Sequence, residues 1–210
     1  MTLSDFTDRL ASGDPVPGGG SASAIAGALG AGLLSMVARL SLDRPRYEAY
    51  RATHERALAA GDRARRRLLT LADEDATAYA AFGDARKMAR DTADEQQERE
   101  DATRVAARAA SEVPMAVVRE CEVLLDEVAA MAGRSNLNAA SDLQVAARLA
   151  GAAAHGAGAN VLINLPMVGD DSYAGGLTAE LNGLLSEIDR TLAAVSEMVV
   201  GGGLREPEQA

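Results

Sequence analysis

Apolar residues recur at helical spacing along most of the chain, and runs of β-branched residues are scarce. The spacing predicts helices over residues 3–11, 21–42, 45–86, 111–131, 141–164 and 175–200. Between them, the charged stretch 86–100 predicts an exposed loop or the start of a helix, and Ser111 and Pro114 open or bend the helix that follows. No repeat or interdomain linker is visible. We therefore expect one all-α domain, a helical bundle with long antiparallel helices over residues 1–203, and a flexible tail over 204–210.

The second predicted helix carries small residues in two rows, at Ala24, Ala28 and Gly32 and at Gly27 and Ala31. Small side chains let another helix approach closely, so this helix should lie at the centre of the bundle. Its apolar stretch over 22–38 approaches the length of a membrane span, but Ala and Gly dominate it. A buried core helix is the favoured interpretation, and we expect no membrane partner.

Charge and cysteine content exclude several classes of function. The formal net charge is -10 and no basic stripe offsets it, which argues against nucleic-acid binding. Arg39, Arg44 and Arg46 can still form a local patch for an anionic ligand. The single cysteine, Cys121, suits a reducing compartment, and no secretory signal is visible, so we expect a cytoplasmic protein. No cluster of metal-ligating residues is present in the sequence, and we expect no metal site.

A glycine-rich turn, Pro17-Gly18-Gly19-Gly20-Ser21, precedes the second helix. Three glycines expose backbone N–H groups, and the N-terminus of the following helix carries partial positive charge. Together they can receive an anion or a polarised oxygen. The alternative is a flexible turn without a ligand. Ser21 is expected to be the N-cap of the helix.

A carboxylate interrupts the apolar stripe of the third helix. Spacings of four, three, four and three residues define this stripe: Leu68, Ala72, Asp75, Tyr79 and Phe82. Asp75 should therefore face the core, where loss of water raises the pKa of a carboxyl towards the range useful for proton transfer. A structural ion pair or a hydrogen bond between helices is the alternative for Asp75. The nearby Asp73 fits a solvated face.

Polar residues also mark both ends of the fifth predicted helix. Asn160 and Asn164 lie one turn apart, and their amides both donate and accept, as the pyrimidinone edge of a heterocyclic ligand requires. Ser141 is expected to cap the start of this helix, with Asp142 near its positive end. Capping and buried interhelical hydrogen bonds are the structural alternatives for all four residues.

Three segments, taken together, resemble the cyclodeaminase family, which comprises the C-terminal domain of formiminotransferase-cyclodeaminase and stand-alone bacterial methenyltetrahydrofolate cyclohydrolases. The segments are PVPGGGSASAIAGALGAGLLSMVARLS, then DEDATAYAAF, then the stretch from SEVPMAVV through NLNAASDLQVAARLAGAAAHGAGANVLINL. They follow the family's order and spacing and cover roughly residues 6–165. The glycine run alone is weakly specific, whereas the three segments together are specific.

The resemblance implies an all-α homodimer that binds folate near its subunit interface. It also implies an acidic active-site residue, for which Asp75 is the first choice and Asp73 the second. The substrate-binding residues then expected are Pro17, Gly18, Gly19, Gly20, Ser21, Arg44, Asp142, Asn160 and Asn164. This sequence departs from the family pattern over 43–46, after the second helix, and over 86–88, after the third.

The implied activity opens or closes the carbon bridge between N5 and N10 of tetrahydrofolate. The chain is then a methenyltetrahydrofolate cyclohydrolase or a formiminotetrahydrofolate cyclodeaminase, with a tetrahydrofolate derivative as substrate and no tightly bound cofactor. The lack of a formiminotransferase domain in this sequence favours the cyclohydrolase. Two other hypotheses stay open: a catalytically silent helical dimer that binds a folate, and a purely structural helical module.

Overall fold

The structure, a computed structural model, describes residues 2–208. The six α-helices are α1 (Leu3–Leu10), α2 (Gly19–Ser41), α3 (Arg51–Lys87), α4 (Ala93–Met131), α5 (Ala140–Asn164) and α6 (Asp171–Gly201). Short 3-10 helices cover Pro45–Tyr50, Leu137–Ala139 and Leu165–Met167. No strand occurs within residues 2–208, and the predicted all-α class is confirmed.

Four helices form an up-down-up-down ring. α2, α3, α4 and α5 each pack on the next in sequence, and α5 closes the ring against α2. α6 packs on the outer side of α4 and α5. The short helix α1 buries Phe6 beside the start of α2. The long helices thus enclose one continuous core, which consists largely of Ala, Val and Leu.

α2 makes its closest approaches to its neighbours at glycines. A Cβ added at Gly30 would lie 2.9 Å from the carbonyl oxygen of Ala146 on α5, and one at Gly61 of α3 would lie 2.9 Å from the carbonyl oxygen of Ala31. These contacts confirm the predicted close approach of other helices to α2, but α2 is a member of the ring with an exposed outer face and does not lie at its centre. Within residues 2–208, α2 is the one helix long and apolar enough to cross a membrane. Because 61% of its most apolar stretch of 18 residues is buried inside the protein, α2 resembles a core helix.

α3 and α4 extend beyond the start of α2 and the end of α5. They have 37 and 39 residues, against 23 in α2 and 25 in α5. α2 begins level with Asp75 on α3, and α5 ends level with Ala110 on α4. Residues 76–87 and 93–109 therefore project roughly 18 to 25 Å past the ring, at 1.5 Å per residue. This projecting hairpin leaves a shoulder where α2 begins and α5 ends.

α4 begins well before its predicted start at residue 111. The Thr92 hydroxyl accepts a hydrogen bond from the Glu95 N–H, and the Glu95 carboxylate accepts one from the Thr92 N–H, which forms a capping box. Ser111 and Pro114 therefore lie inside the helix and do not open it. The charged residues after 93 belong to the projecting hairpin, where water can solvate them.

Neither serine predicted to cap a helix does so. Gly18 is the N-cap of α2, and Ser21 lies in the first turn, where its hydroxyl contacts α3 instead. α5 follows Ala139, and Ser141 already lies inside it. A glycine segment leads directly into α2, and a 3-10 turn leads directly into α5. The two predicted serine caps are therefore wrong.

Residues 204–208 contact the end of α4. Nη1 of Arg205 donates to the carbonyl oxygens of Ala129 at 3.3 Å and Ala132 at 3.1 Å, which are groups left without partners at a helix C-terminus. Glu208 lies 2.8 Å from the Arg56 guanidinium. The predicted flexible tail over 204–210 thus includes a segment with specific partners. Residues 1, 209 and 210 lie outside the described residues.

Helix packing predicts opposite effects for two Gly→Ala substitutions, one where α2 meets α5 and one on the projecting part of α3. Gly30→Ala should destabilise the protein by about 1–3 kcal/mol, since its Cβ would press on the backbone of α5. Gly83→Ala should stabilise it by roughly 0.5–1 kcal/mol, because nothing lies within 4 Å and alanine favours the helix. Urea unfolding followed by circular dichroism measures both, and equal effects would refute the close packing.

Candidate active site at the start of α2

A cleft of about 200 Å³ lies at the shoulder of the bundle. Four elements meet there: the segment before α2, the middle of α3, the middle of α4 and the end of α5. The residues that line it are Pro15, Val16, Gly18, Gly19, Gly20, Asp75, Tyr79, Ala110, Asn160, Ile163 and Asn164. The fold therefore brings together three of the separate segments singled out in the sequence.

Asp75 stands half-buried against the first turn of α2. Oδ2 of Asp75 lies 2.9 Å from the Ser21 hydroxyl, and the backbone N–H of Ser21 also donates to this carboxylate. The same hydroxyl lies 3.0 Å from the carbonyl oxygen of Ala72. A side chain from α3 thus supplies the acceptor that the N-terminus of α2 lacks, and the partial positive charge there favours a carboxylate.

Two opposing effects set the proton affinity of Asp75. Burial removes water from the carboxyl group and raises its pKa, and this is the larger effect. The hydroxyl and backbone N–H of Ser21 stabilise the ionised form and lower the pKa in part. The net shift of the Asp75 pKa is upward. This side chain can therefore hold a proton more readily than an exposed aspartate, and it can also release it.

Glycine is required where α2 meets Asp75. A Cβ added at Gly20 would lie 2.6 Å from the Asp75 Cγ, closer than real side chains come. A Cβ at Gly19 would lie 3.4 Å from Nδ2 of Asn160. Gly20 thus lets the backbone approach the carboxylate closely, which a merely flexible turn does not explain, whereas a Cβ at Gly19 would make only ordinary contact with the amide.

The two asparagines of α5 are held by carbonyl groups. Nδ2 of Asn160 donates to the carbonyl oxygen of Gly156 at 2.9 Å, and Nδ2 of Asn164 donates to that of Ala110 at 2.8 Å. Among residues 2–208, no group donates to either Oδ1 atom. Each amide therefore keeps an acceptor and a second N–H for a ligand, in the cleft that also contains Asp75.

Four other predicted site residues lie elsewhere in the chain. Pro17 and Asp73 line a separate small pocket beside α1, and Asp73 is exposed. Arg44 follows the far end of α2, roughly 35 Å along a helix of 23 residues from the cleft. Asp142 lies in the first turn of α5, about 27 Å along the helix from Asn160. Because both helices run straight away from the shoulder, a single chain does not place Arg44 or Asp142 in this cleft.

Tyr79 and Ile163 line the cleft but were not predicted as site residues. Tyr79 is 48% exposed and Ile163 is 71% exposed, so each presents an apolar surface to the cleft or to water. One signal pointed to Tyr79: it follows Asp75 by one helical turn on the same stripe. Nothing in the local sequence distinguished Ile163 from a core residue.

The other reactive side chains lie outside the cleft. Cys121 is fully buried in the core, and burial raises its pKa to about 12, as expected for a structural cysteine. His155 is on the surface and lies 2.8 Å from Asp189. No group of three or more potential metal ligands occurs among residues 2–208.

Residues 2–183 match the family model described as formiminotransferase-cyclodeaminase. The protein belongs to this family. It is 36% identical to the methenyltetrahydrofolate cyclohydrolase of Methylorubrum extorquens over 89% of each chain. It is 34% identical to the formimidoyltransferase-cyclodeaminase of Sus scrofa over 92% of this chain but only 36% of that protein.

A solved structure of the cyclodeaminase family has the same fold. The crystal structure of formiminotetrahydrofolate cyclodeaminase from Thermotoga maritima superposes with a TM-score of 0.87, at 31% identity, over 96% of each chain. The predicted family and helical architecture are therefore confirmed. The roles of individual residues in the cleft stay predictions.

The raised pKa of Asp75 predicts how Asp75→Asn changes stability with pH. Because the folded-state pKa exceeds the ordinary value of 3.8, ionisation of Asp75 destabilises the wild-type protein as pH rises through the folded-state pKa. Asp75→Asn should therefore have a higher Tm than the wild type near pH 8, and the difference should shrink towards about pH 4. Thermal unfolding across this range tests it. Asp73→Asn, at an exposed position, is the matched control, and a wild-type advantage at every pH would contradict the assignment.

Proposed function

We propose that this protein is a folate one-carbon enzyme that opens the N5,N10 bridge of 5,10-methenyl-tetrahydrofolate, with Asp75 as its acid and base. One observation carries the proposal: a half-buried carboxylate with a raised pKa shares a cleft with two partly unsatisfied amides. Membership of the cyclodeaminase family supplies the substrate class. The cyclohydrolase of Methylorubrum extorquens, which matches over most of both chains, supports hydrolysis as the reaction.

In cyclohydrolysis, water adds to the cationic methenyl carbon. Ionised Asp75 removes one proton from the attacking water, and its negative charge favours the bound cation. Protonated Asp75 then returns this proton to N5 as the bond between carbon and N5 breaks. The remaining hydroxyl proton goes to solvent, which leaves 10-formyl-tetrahydrofolate. A carboxyl group with a pKa above the usual range suits both steps, since it must accept a proton and then donate it.

The same cleft suits cyclodeamination, the second candidate, which the Thermotoga maritima structure favours. N10 of 5-formimino-tetrahydrofolate attacks the formimino carbon, and Asp75 takes the proton from N10. Asp75 then delivers that proton to the leaving nitrogen. With a second proton from solvent, ammonia departs and the methenyl cation is left. One carboxyl group again serves as base and then as acid.

The cleft also offers groups to orient a pterin. The free Oδ1 atoms of Asn160 and Asn164 can accept hydrogen bonds from the pterin's amino and N–H groups, and the second N–H of each amide can donate. Tyr79 presents its ring at the rim, where it can stack on a flat heterocycle. These chain groups account for binding and proton transfer, and we propose that no tightly bound cofactor takes part.

Absorbance of 5,10-methenyl-tetrahydrofolate distinguishes the two reactions. Loss faster than the buffer rate, starting from this compound, supports the cyclohydrolase. Appearance of the same chromophore with ammonia, starting from 5-formimino-tetrahydrofolate, supports the cyclodeaminase. No turnover of either compound by folded protein would favour the catalytically silent folate-binding dimer.

Asp75→Asn should lower kcat by roughly 100-fold or more, because an asparagine amide neither accepts nor donates a proton near neutral pH. Affinity for the product analogue 5-formyl-tetrahydrofolate should change little. Turnover and binding by calorimetry measure the two effects. Asp73→Asn is made in parallel, because it carries the same change outside the cleft. A larger loss in Asp73→Asn than in Asp75→Asn would transfer the role to Asp73.

We also propose that the protein is a cytoplasmic homodimer whose subunits meet on the outer face of α2. This face carries Leu29, Met36 and Leu40, which are 52%, 36% and 39% exposed, with the half-buried Leu33 between them. Their spacings of four, three and four residues place them in one stripe. A second copy related by a twofold axis presents the same stripe, so the two can cover each other.

Leu29→Glu should shift the protein from dimer to monomer, because it places a charge in the proposed apolar contact. Sedimentation velocity at several concentrations measures this shift. Val200→Glu, at an apolar residue 79% exposed on α6, is the control and should leave the mass unchanged. A monomeric wild type, or a dimeric Leu29→Glu variant, would exclude this interface.

A further inference from the structure

A second cavity, about 400 Å³, lies on the projecting part of α4. Three arginines, Arg90, Arg99 and Arg104, line it together with one carboxylate, Glu100, and the neutral side chains of Gln96 and Thr103. We call this cavity the arginine pocket. A positively charged pocket is unexpected on a protein with a formal net charge of -10, so it creates a local field opposite to that of the whole chain.

The arginine pocket lies next to the cleft that contains Asp75. Thr103 lines the pocket and Ala110 lines the cleft, seven residues further along α4. Seven residues make nearly two full turns, so both lie on one face of α4, about 10 Å apart. Met167, which also lines the pocket, follows the cleft residue Asn164 by three positions. A single extended ligand can therefore occupy both sites.

Two of the three arginines in the pocket have no acidic partner in the part of the chain that the structure describes, which leaves it with a net positive charge. Among residues 2–208, neither Arg90 nor Arg99 has a carboxylate within 4.0 Å. Arg104 shares its charge with Glu100 at 3.5 Å and Asp101 at 3.3 Å, and both acidic side chains are mostly exposed. Exposed pairs of this kind contribute little, so a carboxylate ligand can compete for Arg104.

The backbone at Gly169 lies close to the side chain of Arg104. Gly169 has a φ of 68°, in the left-handed region, and a Cβ there would lie 3.0 Å from Nε of Arg104. A side chain at this position would therefore require the guanidinium to shift by a few tenths of an ångström. The absence of a side chain leaves Arg104 room beside the turn between α5 and α6.

We propose that the arginine pocket binds the glutamate carboxylates of the folate substrate. This inference rests on the proposed function, because it assumes that the pterin end lies beside Asp75. A folate carries its pterin, a p-aminobenzoyl group and glutamate in a line. One aromatic ring and one amide bond separate the reacting nitrogens from the first glutamate, which suits two adjacent sites on one face of α4. Guanidinium groups bind carboxylates through paired hydrogen bonds, and further glutamates can engage the remaining arginines.

The test compares substrates with and without glutamate. KM and kcat are measured for 5,10-methenyl-tetrahydrofolate with one and with three glutamates, and for 5,10-methenyl-tetrahydropteroate, which lacks glutamate. Arg99→Gln should raise KM for the monoglutamate about fivefold, and Arg90→Gln/Arg99→Gln about 20-fold, with larger increases for the triglutamate. kcat should stay within about twofold, since the chemistry at Asp75 is untouched. KM for the pteroate should not change.

Arg63→Gln is the matched control, because it makes the same charge change at an exposed residue of α3 away from both sites. It should leave all three KM values unchanged. Equal KM increases for substrates with and without glutamate in the Arg99 variant would overturn the proposal, as would an unchanged KM for the triglutamate. If the wild type has no turnover, affinities for 5-formyl-tetrahydrofolate and 5-formyl-tetrahydropteroate are compared by calorimetry in the same variants. Loss of selectivity for glutamate then supports the pocket while the proposed catalysis fails, and no binding of either compound refutes both.

Discussion

The contact between Asp75 and the first turn of α2 determines how the candidate site is built. α2 begins at glycines, without a side-chain cap of its own, and Asp75 of α3 supplies an acceptor for Ser21. Gly20 makes this possible because any side chain there would overlap the carboxylate. The contact joins α2 to α3 and leaves the carboxyl at the edge of a cleft, partly shielded from water.

The unequal lengths of the helices place that contact at an accessible position. If α2 and α5 extended as far as the ends of α3 and α4, they would cover Asp75, and it would lie inside the bundle. α3 and α4 instead continue past the start of α2 and the end of α5, which opens a shoulder between them. Charged residues on the projecting hairpin are solvated, and three arginines among them surround a pocket beside the cleft. The longer pair of helices thus adds a surface beside the cleft, where we propose that an extended ligand binds.

Stability and chemistry make opposite demands on Asp75. Burial disfavours its ionised form, while Ser21 compensates only in part. A neutral side chain would cost less free energy to bury, but it could not exchange protons. The buried Cys121 illustrates the other outcome, because its pKa of about 12 keeps it protonated in the core and suits packing alone. Position relative to the shoulder separates a buried group that a ligand can reach from one that it cannot.

Sequence periodicity determined the all-α class, the close packing of helices on α2 and the burial of Asp75 rather than Asp73, because each depends on which face of a helix a residue occupies. The start of α4 was also encoded locally, in the Thr92 capping box, but the charged stretch around it was read as a loop. Only the tertiary structure decided which segments meet. It brought Asn160 and Asn164 beside Asp75, added Tyr79, Ile163 and the arginine pocket, and left Arg44 and Asp142 at the far ends of straight helices. The reason is geometric: helical spacing specifies a direction around each axis, whereas the level at which two helices meet depends on their lengths and on packing between distant residues.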